Sequence, residues 1–102
     1  MVSVIWKSYD SGSAIGEHGS EGGEIVKDEE LDSSSRITLE KFAGGHYAVT
    51  CGVYGTFVHT AWFGEENALL KYGQMKSDIE TIILSENDDE FYRLIGEFAD
   101  KY

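Results

Sequence analysis

Proline is absent from this sequence, cysteine occurs once, and cations are scarce: 8 Lys and Arg stand against 19 Asp and Glu, a formal net charge of −11. Without proline there is no rigid Pro-rich linker or recognition segment. Cys51 alone cannot form an internal disulfide, which fits a reducing compartment. No apolar run approaches the roughly 18 to 20 residues that span a bilayer, and the amino terminus lacks the basic stretch and apolar block of a secretory signal. A cytoplasmic protein is expected. The shortage of cations argues against nucleic acid and anionic membrane as partners. An acid coat repels both, and attracts basic molecules over a Debye length of about 8 to 10 Å.

Familiar catalytic and metal patterns are missing as well. The glycines at 12, 16, 19, 22 and 23 lead into no Gly-Lys-Ser/Thr ending, so they make no phosphate loop, and no Gly-x-Ser-x-Gly elbow occurs. His18, His46 and His59 share no zinc or iron spacing. Asp28, Glu29, Glu30 and Asp32 lack the alternation and glycine of a calcium loop. No cofactor or metal is expected, and no catalytic residue stands out.

What is present is a chain that is 41% hydrophobic, enough for one core, and the expectation is a single globular domain over residues 1–102. Its charge is unevenly placed. Residues 1–35 carry 8 acids and 2 bases, 36–63 carry 1 and 2, and 64–102 carry 10 and 4, so the acidity lies outside the middle segment. Alternation over 2–9 predicts a short first strand. Residues 10–23, rich in Gly, Ser and Glu, are expected to be a mobile loop. Glu24 to Lys27 reads as a brief strand, ending in the acidic run Asp28, Glu29 and Glu30 as a solvated turn or edge.

The middle segment predicts a three-stranded antiparallel meander over 36–63. Runs at 36–43 and 46–53 flank Gly44-Gly45, which suits a two-residue hairpin turn, and a run at 56–63 follows a turn at 52–55. Two-residue and four-residue loops at the second turn give the same faces, whereas a three-residue loop with a bulge flips the third strand. The resulting faces are Ile37, Leu39, Ala48, Thr50, Gly52, Phe57, His59, Ala61 and Phe63 under helices, and Thr38, Glu40, Phe42, Tyr47, Val49, Cys51, Val53, Val58, Thr60 and Trp62 outside. Cys51 and His59 then point apart and form no thiolate-base pair.

From Glu65 onward, Ala68, Leu69, Tyr72, Met75, Ile79, Ile82 and Ile83 recur at helical spacing. A second helix starts near Asn87, a cap residue three positions before Glu90, and carries the stripe Phe91, Leu94, Ile95, Phe98 and Tyr102. The fold expected is therefore α+β: an antiparallel sheet, the 36–63 meander plus one or two N-terminal strands, with two C-terminal helices on one face.

Two functional readings follow. In the first, Phe42, Tyr47 and Trp62 form an aromatic row on the less buried face and, with the acids Asp28, Glu29 and Glu30, bind a basic protein partner. Size, acidity and missing catalytic motifs are compositionally similar to small cytosolic inhibitors of the immunity-protein kind, with no motif that identifies a family. In the second, a cleft between sheet and helices lined by Thr50, Phe57, His59 and Tyr72 holds a small molecule or supports a minor enzyme. A homodimer built on the aromatic face or an unpaired strand edge overlaps both.

Overall fold

A computed structural model of the chain describes residues 5–102, so Val2 and Val4 of the expected first strand lie outside the described residues. Five strands, β1 (Trp6–Ser8), β2 (Glu24–Leu31), β3 (Ser35–Lys41), β4 (His46–Val53) and β5 (Phe57–Gly64), form one antiparallel sheet in chain order. Two helices follow, α1 (Glu65–Ile83) and α2 (Asp88–Lys101). This is the expected α+β architecture.

The helices form for the reasons their sequences give. In α1, Ala68, Tyr72, Met75, Ile79 and Ile82 recur on one face and are all buried, while Glu65 and Glu66 occupy the first turn, where the helix dipole favours anions. Asn87 caps α2, its side chain accepting from the Glu90 amide at 2.9 Å. Phe98 of α2 is buried, and Phe91, Leu94, Ile95 and Tyr102 pack beside it. Together these side chains close over Ile37, Leu39, Val49, Cys51 and Ala61 of the sheet. Each large one contributes roughly 1.5 to 3 kcal/mol by leaving water.

The meander is built on different turns from those expected. Phe42 donates its amide to the His46 carbonyl at 3.0 Å, and Lys41 stands opposite Tyr47. The loop therefore has three residues, Ala43, Gly44 and Gly45, with both glycines at positive φ of 94° and 83°. At the next turn Val53 pairs with Phe57, again leaving three residues. Each change slips the register by one. The first turns β4 over and the second restores β5, so only β4 differs from the expected faces. Tyr47, Val49, Cys51 and Val53 lie on the helix face; Ala48, Thr50 and Gly52 lie on the opposite one.

Strand β2 corrects a second expectation. Asp28, Glu29 and Glu30 are neither a turn nor a free edge but part of the second half of an eight-residue strand between β1 and β3. A β-bulge between Ile25 and Lys27 turns Ile25 away from the helices, opposite Glu40, and leaves Val26 packed on the core.

Segment 10–23, read from sequence as a mobile loop, folds back over the sheet face that the helices leave bare. Gly16 donates to the Ile25 carbonyl at 2.8 Å and Ile25 donates to the Glu17 carbonyl at 2.9 Å. The two sides of the sheet are thus a helix face and a loop face.

Candidate functional site

The loop face carries two features, one at each end. At the first, the fully buried carboxylate of Asp28 accepts two hydrogen bonds from Arg36, from Nε at 2.9 Å and Nη2 at 2.8 Å. Arg36 also lies under the Tyr9 ring, 3.8 Å from its centroid. The Asp28 carboxylate and burial pull the guanidinium in opposite directions, and the carboxylate prevails, raising the Arg36 pKa further. Beside this pair, residues 14–20 of the loop and the β4–β5 turn wall a groove of about 760 Å³. Its lining includes Arg36, Thr38, Thr50, Gly52, Tyr54 and Val58. Thr50 and Thr60 share a hydroxyl hydrogen bond of 3.0 Å on this face.

A buried carboxylate fixes the loop that makes the wall. Glu40 is fully buried, and its Oε1 accepts from the amides of Glu21 at 3.2 Å and Gly23 at 3.0 Å. A Cβ on Gly19 would stand 2.4 Å from the Glu40 carboxyl carbon, so only glycine lets the loop settle there. Oε2 of Glu40 has no hydrogen-bond partner among the described residues.

At the other end of the face, three rings form a cluster. Phe42 and His46 stack at 5.0 Å with an interplanar angle of 8°, and Trp62 leans on them at 5.2 and 6.0 Å. Trp62 remains 51% exposed, and Val58, on the same face further back along β5, is 78% exposed. Acids stand beside this cluster. Glu65 Oε2 lies 3.8 Å from the position a Cβ would take on Gly45, next to His46 in the chain, and Glu66 folds over Gly64, just beyond Trp62.

The aromatic row expected from sequence is therefore replaced by a different one. Tyr47 turns to the helix face opposite Phe63, and His46 joins Phe42 and Trp62 in a triangle of rings on the loop face. The three acids also part company. Asp28 is buried against Arg36, and Glu30 accepts from the Tyr54 hydroxyl at 2.8 Å. Glu29 faces the helices, accepting from the Tyr72 hydroxyl at 2.7 Å and from Lys76 at 2.9 Å. Burial raises the Glu29 pKa, but the Lys76 and Tyr72 hydrogen bonds and the nearby lysine charges outweigh it, leaving it lowered.

The cleft residues divide between the faces as well. Thr50 and Phe57 both line the loop-face groove, Phe57 while also packing on the core, whereas His59 and Tyr72 lie on the helix side. Phe57 and His59 both meet the Phe98 ring edge-on, at 5.7 and 5.6 Å. Cys51 and His59, expected to point apart, are direct cross-strand neighbours. Burial pushes the Cys51 thiol up to about 12, so it stays protonated at neutral pH and is no nucleophile. His59 Nε2 is buried without a hydrogen-bond partner among the described residues.

Arg36, Tyr9, His46, Val58 and the 14–20 wall have no place in a motif search. Of these, only His46 could have been placed from sequence, through the hydrophobicity of β4. Val49, Cys51 and Val53 form a more apolar set than Ala48, Thr50 and Gly52, and would have set the faces without counting loop residues.

No family model, no curated protein and no solved structure matches the chain. Among the described residues, no helix is long and apolar enough to cross a membrane, and no three His, Cys, Asp or Glu side chains gather as metal ligands would. The functional reading rests on the geometry of the loop face.

Proposed function

We propose that this chain is a small non-enzymatic interaction protein that binds a basic protein partner through its loop face, in the manner of an immunity-type inhibitor. The observation that carries the reading is the Phe42, His46 and Trp62 cluster, with Trp62 half-exposed and the acids Glu65 and Glu66 directly following its strand. A large ring that gives up water on contact supplies binding energy, and the surrounding acids steer and select a cationic partner. The net charge of −11 extends that attraction over the whole molecule and disfavours nucleic acid and anionic membrane as alternatives. The test is capture of partners from lysate at low and raised salt with native protein and Trp62→Ala side by side. A single basic protein retained by the native chain, released by salt and lost with Trp62→Ala, supports the proposal. A partner retained equally by both proteins, or none, overturns it.

The groove favours a second reading, a small-molecule site. Its volume of about 760 Å³ falls within the range of roughly 300 to 1,000 Å³ typical of ligand pockets. This moves the site from the sheet-helix cleft near His59 to the other side of the sheet. A ligand held there would raise the melting temperature at any salt concentration, and would lose that effect in Thr38→Ile, which fills the groove floor.

A further inference from the structure

We propose that β5 is the seam of a symmetric dimer, in which two copies pair antiparallel along their outer β5 edges with Thr60 on the two-fold axis. The inference concerns the purified chain alone and goes beyond the basic-partner reading, with which it competes for Trp62: a partner that takes that ring would have to displace the second copy.

The strand order leaves β5 at the edge of the sheet, and among the described residues nothing pairs with its outer side. Edge strands are ordinarily blunted by brevity, a charged side chain, proline or a bulge. β5 has none of these. It runs for eight residues in continuous register with β4, and its sequence, Phe-Val-His-Thr-Ala-Trp-Phe-Gly, includes no Asp, Glu, Lys, Arg or Pro. The lack of charge extends over residues 42–64, which contain none of the chain's Asp, Glu, Lys or Arg. In a molecule of net charge −11, two copies can meet here without setting carboxylate against carboxylate. A basic strand would find no carboxylate on β5 to answer its charge, so a second copy suits this edge better.

The sequence also fits itself. A two-fold axis through Thr60 sets Phe57 opposite Phe63 of the partner subunit, Val58 opposite Trp62 of the partner subunit, and His59 opposite Ala61 of the partner subunit. Each pair matches bulk to bulk or places a small residue beside a ring. Val58 and Trp62, the most exposed side chains of β5 at 78% and 51%, would cover one another across the seam. The axis makes this happen twice, as an isologous interface requires. The product is a continuous ten-stranded sheet whose two aromatic clusters lie on the same side.

Sedimentation equilibrium over a concentration series tests the proposal directly. The weight-average mass of the native protein should rise from 11.3 kDa toward twice that value. Val58→Glu, at a position exposed enough to leave the fold intact, should stay at the lower mass and melt where the native protein does at dilutions that keep it monomeric. Register is tested by oxidation: Thr60→Cys should cross-link to a covalent dimer, because directly opposed Cβ atoms fall within disulfide reach. Val58→Cys should cross-link only when mixed with Trp62→Cys. The buried native Cys51 serves as the unreactive control. A native protein that stays monomeric throughout, or a Val58→Cys that cross-links to itself as fast as Thr60→Cys, overturns the proposal. A monomer whose capture of a basic partner depends on Val58 overturns it too, and assigns the edge to that partner.

Discussion

Helix α1 closes one face of the sheet with Ala68, Tyr72, Met75, Ile79 and Ile82, whereas the other face is closed by a loop held through ions and backbone. On the helix face, Ile37, Leu39, Val49, Met75 and Ile79 are at most 1% exposed, and the burial is apolar. On the loop face, the apolar Ile25 and Ala48 are buried beside two carboxylates: Asp28, paired with Arg36, and Glu40, which holds the amides of Glu21 and Gly23. Apolar closure depends on shape and volume. Ionic closure depends on each partner being present, and it leaves room for a groove where side chains do not interdigitate. The face that is less completely packed is also the one that offers a surface to other molecules.

Substitutions break this contrast in order of size. Ile79→Ala on the helix face removes a fully buried side chain and should cost about 3 to 4 kcal/mol in urea unfolding, with the whole molecule losing stability in one transition. Arg36→Ala on the loop face strands the Asp28 carboxylate and should cost about 2 to 3 kcal/mol. Because Arg36 is itself one-third exposed, the loss belongs at the lower end for buried pairs. Arg36→Ala should also speed protease cleavage within residues 10–23, which Ile79→Ala should do only through global unfolding. Equal cleavage patterns in the two variants would show that the faces are not separately stabilised.

How much of this was legible in the sequence depended on whether a signal was local. The helices were, since spacing of Tyr72, Met75 and Ile79 and the cap at Asn87 act within a few residues. The sheet was legible as a meander, but its faces hung on the length of two turns. Counting Gly44-Gly45 as the whole first loop turned β4 over, although the apolar run Val49, Cys51 and Val53 already marked the buried side. The acidic run Asp28 to Glu30 read as solvated because its partners, Arg36, Tyr72, Lys76 and Tyr54, lie up to 47 residues away. Nothing around Glu40 announces that it will hold two amides from 17 and 19 residues earlier. Phe42 and Trp62 kept the shared face expected for them because both lie on strands whose faces were right, although the Tyr47 expected between them turned away.

A charge effect should appear on the helix side as well, and sharpen the contrast. Glu29 loses its proton more readily in the folded chain than in the unfolded one, whose value is near the ordinary 4.5. Its contribution is therefore fully present above that pH and fades as pH falls through the lower folded value. The urea midpoint should decline between about pH 5 and pH 3, and Lys76→Met should flatten this decline because Lys76 is the charge that holds the carboxylate. An unchanged slope in Lys76→Met would assign the pH dependence to other carboxylates.

The smallest expected change in stability is at the position where function is proposed to be most sensitive. Trp62 is half-exposed on an edge strand, so Trp62→Ala should cost about 1 kcal/mol or less, while removing the capture of a basic partner. His59→Ala gives the opposite ordering. It opens space beneath Phe98 on the helix side and lowers the melting temperature, yet leaves the loop face and its partner untouched. Measuring melting temperature and partner retention for both variants compares the two faces within one strand, where their side chains lie three residues apart. Capture lost with His59→Ala but kept with Trp62→Ala would place the binding surface on the helix side.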